Sequence, residues 1–373
     1  MQESIDIIGA GIGGLTTALV LKQKGFRVRV YEGSSELKPV GAGIIMANNA
    51  MQVFKELGLH SSIEQAGNEI SCMKITDAHL KSLSVVDLLE YKRTYGVQNT
   101  AIHRGNLQKI LLDAVGLEHV VLNKRLVKVE QAQNFRLTFN DQSTVESDWL
   151  IGADGIHSVV RKQLFPKTTL RDAGQICWRG VCDMELPKKY HNELNEAWGK
   201  GRRFGFVKIS ESKNYWYALA NAEKIEHGHL TLNELFKGFH PDILALISAT
   251  PNEHIFKDMI FDLKPMDKWH IGNACLIGDA AHATTPNMGQ GACQAIEDAY
   301  VLGKLIDGGL EAAFKGLELI RRKKAHAVVN TSWTIGKLAH IDNNLGVWLR
   351  NNLMKVMPKS ANKKQLDMIF KLD

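Results

Sequence analysis

The stretch SIDIIGAGIGGLTTALVLKQKGFRVRVYE, residues 4–32, sets the fold class of this chain. Residues 4–8 read as a short apolar strand, 15–24 as a helix stopped by Gly25, and 26–31 as a second strand ending at Glu32. The turn between strand and helix is G-x-G-x-x-G. Gly9 permits the tight turn, Gly11 lets a pyrophosphate approach the backbone, and Gly14 lets helix and strand pack closely, with Gly13 a further glycine of the same turn. Glu32 stands where a carboxylate takes the ribose hydroxyls of an ADP moiety.

Far along the chain, GDAAHATTPNMGQG, residues 278–291, answers this turn. A strand over 273–279 ends in Asp279, a residue able to accept hydrogen bonds from sugar-alcohol hydroxyls. The loop closes on Gly289, Gln290 and Gly291 at the start of a helix over about 290–307, where free N–H groups and the positive dipole end favour negative charge. The pyrimidine side of a reduced flavin requires this, and the two motifs together read as halves of one flavin site. A third segment, WLIGADGIHSVVR at 149–161, runs from strand through an Asp-Gly turn into a helix. Its Asp154 and Ser158 fit a place where two cofactors meet and equally fit simple helix caps.

With 373 residues the chain is long enough for two domains. Its 45% hydrophobic content includes no run long enough to cross a bilayer, and the first residues lack the layout of a secretory signal, so a cytoplasmic protein with no membrane partner is expected. Cys72, Cys177, Cys182, Cys275 and Cys293 form neither a CxxC pair nor a metal set. The net charge of +6 is dispersed over the chain, so no nucleic-acid partner is expected and a solvated basic surface is the simpler reading.

The expected fold is α/β. A Rossmann-like FAD-binding domain (residues 1–70, 98–165 and 268–325) interleaves with a mainly antiparallel β-sheet substrate domain (71–97 and 166–267), and 326–373 form C-terminal helices. In that last segment Trp333, Ile335, Leu338, Leu345, Trp348, Leu349 and Leu353 supply apolar positions expected to pack across the two domains.

On these three motifs, in this order, the chain resembles the class A flavoprotein monooxygenases, which share the fold of para-hydroxybenzoate hydroxylase. The resemblance implies that Glu32 and the glycine turn hold the ADP half of FAD, that Asp279 binds the ribityl chain, and that Pro286, Gly289, Gln290 and Gly291 line the flavin ring. It also implies that the Asp154 region serves both FAD and the nicotinamide cofactor, and that Arg104 opens a helix beside the flavin. Asn106 departs from the acidic residue common after that arginine, and Gly41 and Gly43 would permit the flavin to move. With one dinucleotide fingerprint, NADH or NADPH would visit rather than reside. The family scheme then has O2 form a flavin hydroperoxide that transfers one oxygen to an electron-rich carbon.

Substrate contacts are expected from the sheet at 175–185, 204–210 and 215–221, with Trp178, Phe204, Phe206, Tyr215, Trp216 and Tyr217 as aromatic candidates. Alternation places Tyr215 and Tyr217 on one face and Trp216 on the other, and one of Arg202 and Arg203 should point inward. The spacing of Arg203 and Tyr215 is similar to that in FAD-dependent urate hydroxylases, where an arginine and a tyrosine meet the substrate. The VGAGI stretch at 40–44 and the C-terminal region resemble the subgroup of urate, salicylate and 3-hydroxybenzoate hydroxylases. His157, His282 and His340 read as hydrogen-bonded structural residues. The expected substrate is thus a small aromatic or N-heteroaromatic anion. Alternatives are the same chemistry on a larger molecule (isoprenoid epoxidation, antibiotic hydroxylation), a flavin reductase or oxidase without oxygen insertion, and a non-catalytic nucleotide-binding protein. The oligomeric state and the choice of NADH or NADPH stay open.

Overall fold

The computed structural model describes residues 4–37, 42–165, 167–225 and 230–373; Val40 and Gly41 lie outside them. One sheet has six strands in the order His270–Ile271, Ala274–Leu276, Trp149–Gly152, Ser4–Ile8, Arg27–Tyr31, Val120–Val121. All its pairings are parallel except that of the short edge strand His270–Ile271. Alternate residues enter opposite cores, Ile5, Ile7 and Ile151 on one side and Ile8 and Leu150 on the other.

Register matters more than strand count here. Ile8 pairs with Gly152, and Gly152 with Leu276, so three carboxyl ends lie level. The Ala153 N–H donates to the Ile8 carbonyl (2.9 Å) and the Ile277 N–H to the Gly152 carbonyl (3.0 Å), which carries the alignment into the turns. The Gly9, Asp154 and Gly278 turns, far apart in sequence, thereby become neighbours at the sheet edge where open α/β sheets bind ligands.

The second sheet has seven strands in the order Ile255–Leu263, Leu170–Asp183, Lys213–Asn221, Arg202–Lys208, Glu193–Trp198, Cys72–Asp77, Ser82–Asp87. All its pairs are antiparallel except Glu193–Trp198 with Cys72–Asp77. Leu170–Asp183 is longer than its sequence suggested, because a register shift between Asp172 and Ile176 lets one strand turn and continue. One face of this sheet buries Trp178, Phe204, Phe206 and Trp216 against the helix Pro241–Ser248, so these aromatics are core residues. The opposite face presents Glu196, Arg203, Tyr215 and Tyr217 to the first sheet's carboxyl edge.

Beneath that edge lies an ionic cluster whose centre, Glu297, Asp298 and Arg321, is fully buried. Asp298, on the helix Gly291–Leu305, accepts from the Gly278 N–H (2.9 Å), the His282 imidazole (2.7 Å) and Arg321 Nε (2.9 Å). Arg321, on the long helix Leu310–Ala339, also pairs with Glu297 (3.0 Å) and with the Asp373 side chain (2.6 Å). Lys324 binds Glu297 and the Lys371 carbonyl, both at 2.5 Å, so the C-terminus is tied into the same cluster. Burial pushes the Asp298 carboxyl up, but the His282 and Arg321 charges and the Gly278 N–H outweigh it and hold it down at about 2.

The helices after residue 310 touch both parts of the molecule, Ser332 bonding Thr285 on the cofactor side and Ala339 and Met354 packing with Leu83 and Trp198 on the other, but most of the apolar positions expected to make that packing do not. Leu310–Ala339, Asn344–Val356 and Lys359–Phe370 form three helices. Leu338, Leu345, Trp348, Leu349 and Leu353 are exposed.

Two outcomes are expected. Arg321→Met leaves Glu297 and Asp298 buried without their main counter-charge and should cost about 3–5 kcal/mol of unfolding free energy in a urea titration; a loss below about 1 kcal/mol contradicts the cluster's role. Asp298 ionises more readily folded than unfolded, so its stabilisation is complete above about pH 4 and drains away as pH falls toward about 2. Asp298→Asn should therefore flatten the acid limb of stability against pH measured by circular dichroism, and an unchanged limb would remove Asp298 from that account.

Candidate cofactor and substrate site

A cleft of about 630 Å³ runs between the two sheets. At its first end, Gly11, Gly13, Arg104, Asp279 and the loop residues Pro286, Gly289, Gln290 and Gly291 line the wall. At its second end stand Gly43, Arg203 and Tyr215. Gly9, Gly14, Glu32 and Asp154 do not line this cleft; they shape the wall from behind.

The glycines divide by what surrounds them. A Cβ on Gly9, whose φ is +106°, would lie 2.5 Å from the Ala153 carbonyl oxygen, and one on Gly14 would lie 1.9 Å from that of Gly9. Those two permit the turn to close. Gly11 and Gly289 would meet nothing within 4 Å, so each leaves open space at the backbone. Gly43 is held by the Tyr215 side chain, 2.5 Å from its would-be Cβ. Glu32 accepts the N–H groups of Ala10 and Ser34, both at 2.9 Å, so its carboxylate braces the glycine turn whatever else it holds.

Asp154 turns inward. Its Oδ2 accepts from the N–H groups of Val159 (2.7 Å) and Val160 (3.2 Å), while Ser158 accepts from the Arg161 N–H (2.9 Å), so both serve as helix caps. Asp154 Oδ1 is buried without a partner, and burial raises this carboxyl against the pull of the Ser158 hydroxyl and the helix N–H groups. Arg161 binds the carbonyls of Ala280 (3.0 Å) and Ile156, clamping the Asp154 turn to the Asp279 segment.

Asp279 opens into the cleft beside the first turn of Gly291–Leu305; a Cβ on Gly291 would lie 3.7 Å from its Oδ1. Enclosure by the cleft walls raises its carboxyl, opposed by His282, Arg104 and Arg161. Arg104 heads the helix Arg104–Val115, whose first turn is capped by His103 Nδ1 accepting from the Gly105 N–H (3.2 Å); exposed Asn106 makes no part of that cap. The open backbone at Gly11 and Gly289, Asp279 between them, and the helix start at Gln290 fit a long dinucleotide with a polar ring at one end.

At the other end Arg203 is 1% exposed and points inward, while Arg202 binds the Leu235 carbonyl elsewhere. Arg203 pairs with Glu196 Oε1 (3.0 Å) and donates to Asn287 Oδ1, leaving Nε buried without a partner. Glu196 also accepts from Tyr217 Oη (2.6 Å) and Trp198 Nε1 (2.7 Å). Lys74 pairs with Glu193 and Arg179 with Asp258 (2.8 Å). Among the described residues, each of these three cations at the deep end therefore has a carboxylate partner. Arg203 thus already holds a carboxylate partner within the protein.

Burial raises the phenols of both Tyr215 and Tyr217, so both are neutral donors at physiological pH. His282 is spent on Asp298, and His340 is pushed down to about 3 by burial and Arg203, leaving it neutral. His157 is exposed.

Glu196 and Arg179 escaped the sequence reading, while Asn287 and Arg161 stood inside its motifs without a role of their own. One signal was available for Glu196: a glycine inside a strand marks a close approach. Gly205 pairs with both Glu196 and Tyr217, and its Cβ would lie 2.0 Å from the Tyr217 ring, so that glycine makes the room in which the two meet.

The comparisons with known proteins agree with this geometry. The FAD binding domain family matches residues 2–317. The chain is 36% identical over 358 residues to the aurachin C monooxygenase/isomerase of Stigmatella aurantiaca, covering 94% of this chain and 93% of that protein. It is 31% identical over 385 residues to the 2-heptyl-3-hydroxy-4(1H)-quinolone synthase of Pseudomonas aeruginosa, covering 98% and 97%. The crystal structure of Klebsiella pneumoniae HpxO complexed with FAD and uric acid matches with a TM-score of 0.89 at 26% identity, covering 98% of this chain and 96% of that one. With the family matched over most of its length and its glycine turn and Gly-Asp loop on one cleft, the chain belongs to the class A FAD-dependent monooxygenases and is a flavoprotein enzyme.

Proposed function

We propose that this enzyme uses NADH or NADPH and O2 to hydroxylate a neutral N-heteroaromatic ring that carries an apolar substituent. The observation that carries the proposal is the closed ion pair of Arg203 with Glu196: a site built for an anion would leave its arginine available, and this one is neutralised. The deep end also has an apolar wall, Ile70, Met73, Val86, Leu194, Leu366 and Ile369, which suits a hydrocarbon chain. Two relatives support the reading, one named for aurachin C and one for a quinolone with a heptyl group.

FAD, when bound and reduced, supplies the activation of O2 and the transfer of one oxygen atom. The protein's own residues bind, orient and dry the site. Asp279 would hold the ribityl hydroxyls, Glu32 the adenosine ribose, and the Gly289, Gln290 and Gly291 backbone the pyrimidine edge of the ring. Arg104 would face the cofactor from the opposite wall. Neutral Tyr215 is the donor offered to a substrate carbonyl, and Glu196 keeps Arg203 and Tyr217 in place. Fixing the ring this way sets which carbon meets the oxygen, while apolar walls exclude water from the reactive centre.

A second reading, a urate-like anion, is favoured by the uric acid in the K. pneumoniae structure. Turnover under 18O2 with a 2-alkyl-4(1H)-quinolone and with urate separates the two. The proposal expects the quinolone to gain one labelled oxygen per NAD(P)H consumed and urate to be inert; labelled product from urate alone would overturn it. Asp279→Ala should lower FAD retained through purification by roughly tenfold, the loss of a charge-assisted contact, read from the visible absorbance per protein; an undiminished yellow colour would end its ribityl role. Glu196→Gln frees the Arg203 charge and should lower the KM for anionic rings relative to neutral ones by about tenfold, the worth of one uncompensated charge contact; unchanged selectivity would mean the pair does not set it.

A further inference from the structure

The helix Asn344–Val356 carries apolar residues on its solvent side as well as on its packed side, where Met354 is buried with Leu83, Trp198 and Ala339. Its protein-facing side holds Arg350, buried at 2% exposure, which donates to the Ala339 carbonyl (2.9 Å) and stacks on the Trp198 ring (5.4 Å). Its solvent side carries Leu345, Trp348, Leu349, Leu353 and Val356, exposed at 68, 61, 53, 61 and 74%. These positions fall at i, i+3, i+4, i+8 and i+11, one continuous stripe along the helix. Met357 and Leu338 extend it at either end. Scattered apolar residues on a surface need no explanation, but a stripe of this kind marks a contact site.

Charge selects the occupant. Residues 344–373 hold six Lys and Arg against two Asp, and with Arg350 buried and Lys363 paired with Glu90 the segment remains net positive. Lys355 lies on the exposed side of the same helix, and Lys364 is exposed on the following helix Lys359–Phe370. Two copies meeting through this face would bring their positive segments together. An anionic lipid surface attracts them instead, while Trp348 and the leucines enter the region between headgroups and acyl chains.

Position supplies the purpose. The helix packs on the strand Ser82–Asp87, whose Ser84 and Val86 line the cleft, and Asn362 of the next helix donates to Ser84 Oγ (3.1 Å). Leu366, Ile369 and Phe370 carry the cleft's apolar wall into that next helix. We propose that the exposed face of Asn344–Val356 docks on an anionic bilayer surface, setting the apolar end of the cleft beside the lipid phase from which a hydrophobic substrate partitions. This departs from the expectation of no membrane partner. No helix among the described residues is long and apolar enough to cross a membrane, and a face lying in the interface requires none. The docking itself does not depend on which ring is hydroxylated.

The test is flotation of the FAD-loaded enzyme with vesicles of phosphatidylcholine alone or with one third phosphatidylglycerol. The wild type should float with the anionic vesicles roughly fivefold more than with neutral ones, and 0.5 M salt should remove the difference. Trp348→Glu/Leu353→Glu should abolish flotation while keeping its flavin absorbance and its rate on a water-soluble substrate. Lys355→Glu/Lys364→Glu should lose only the preference for anionic lipid. Absence of wild-type flotation, or flotation untouched by the first pair of substitutions, overturns the proposal. So does a wild-type dimer in light scattering that the same pair converts to monomer without any vesicle binding, which would make the face an interface between copies.

Discussion

The Asp298 carboxylate, buried under the cofactor end of the cleft, holds together what the strands bring near. It takes the Gly278 N–H, the His282 imidazole and the Arg321 guanidinium at 2.9, 2.7 and 2.9 Å, so one charge joins the Gly-Asp turn, the helix Gly291–Leu305 and the long helix behind it. A buried carboxylate is tolerated only with this degree of compensation. Its placement explains why the loop between Asp279 and Gly291 can be rich in glycine and still have a defined shape. The loop's two ends are pinned to the same ionic centre, and its backbone is left free to face a ligand.

The other end of the cleft is governed by a second ion pair with the opposite consequence. Glu196 consumes the charge of Arg203 and fixes Tyr217 in the same stroke, leaving neutral donors where a free cation was expected. Electrostatically the cleft is therefore divided. Asp279, Arg104 and the helix start give the cofactor end charge and dipole, while the substrate end offers ion-paired cations, neutral phenols and hydrocarbon. Such a division suits a polar ring presented to a flavin with its apolar part directed away.

Much of this was legible in the residues alone. The glycine turn, the Gly-Asp loop and the strand-turn-helix around Asp154 each carry a local backbone requirement, and local requirements survive in sequence. The α/β class and the FAD family followed from them, and strand alternation required one of Arg202 and Arg203 to point inward. What the sequence hid was pairing across distance. Gly205, two residues from Arg203, marks a close approach without naming Glu196 as the partner, and the residues around Asp154 left its cap and cofactor readings equal. Alternation correctly separated Tyr215 and Tyr217 from Trp216, since the period of a strand is local, yet which face met the cleft depended on the other sheet. The C-terminal leucines were misread for the same reason: a helical stripe predicts a buried face, and only the fold shows that the face is left to solvent.

The central claim is that the deep end of the cleft recognises a neutral ring with a hydrocarbon tail. Titrating the FAD-loaded enzyme with 4(1H)-quinolone, its 2-heptyl derivative and urate, and reading the perturbation of the flavin spectrum, tests it most directly. The account predicts that the heptyl derivative binds more tightly than the bare ring by at least about tenfold, since each buried CH2 contributes about 0.8 kcal/mol, and that urate binds weakest. Equal affinity with and without the tail, or urate as the tightest ligand, would contradict it.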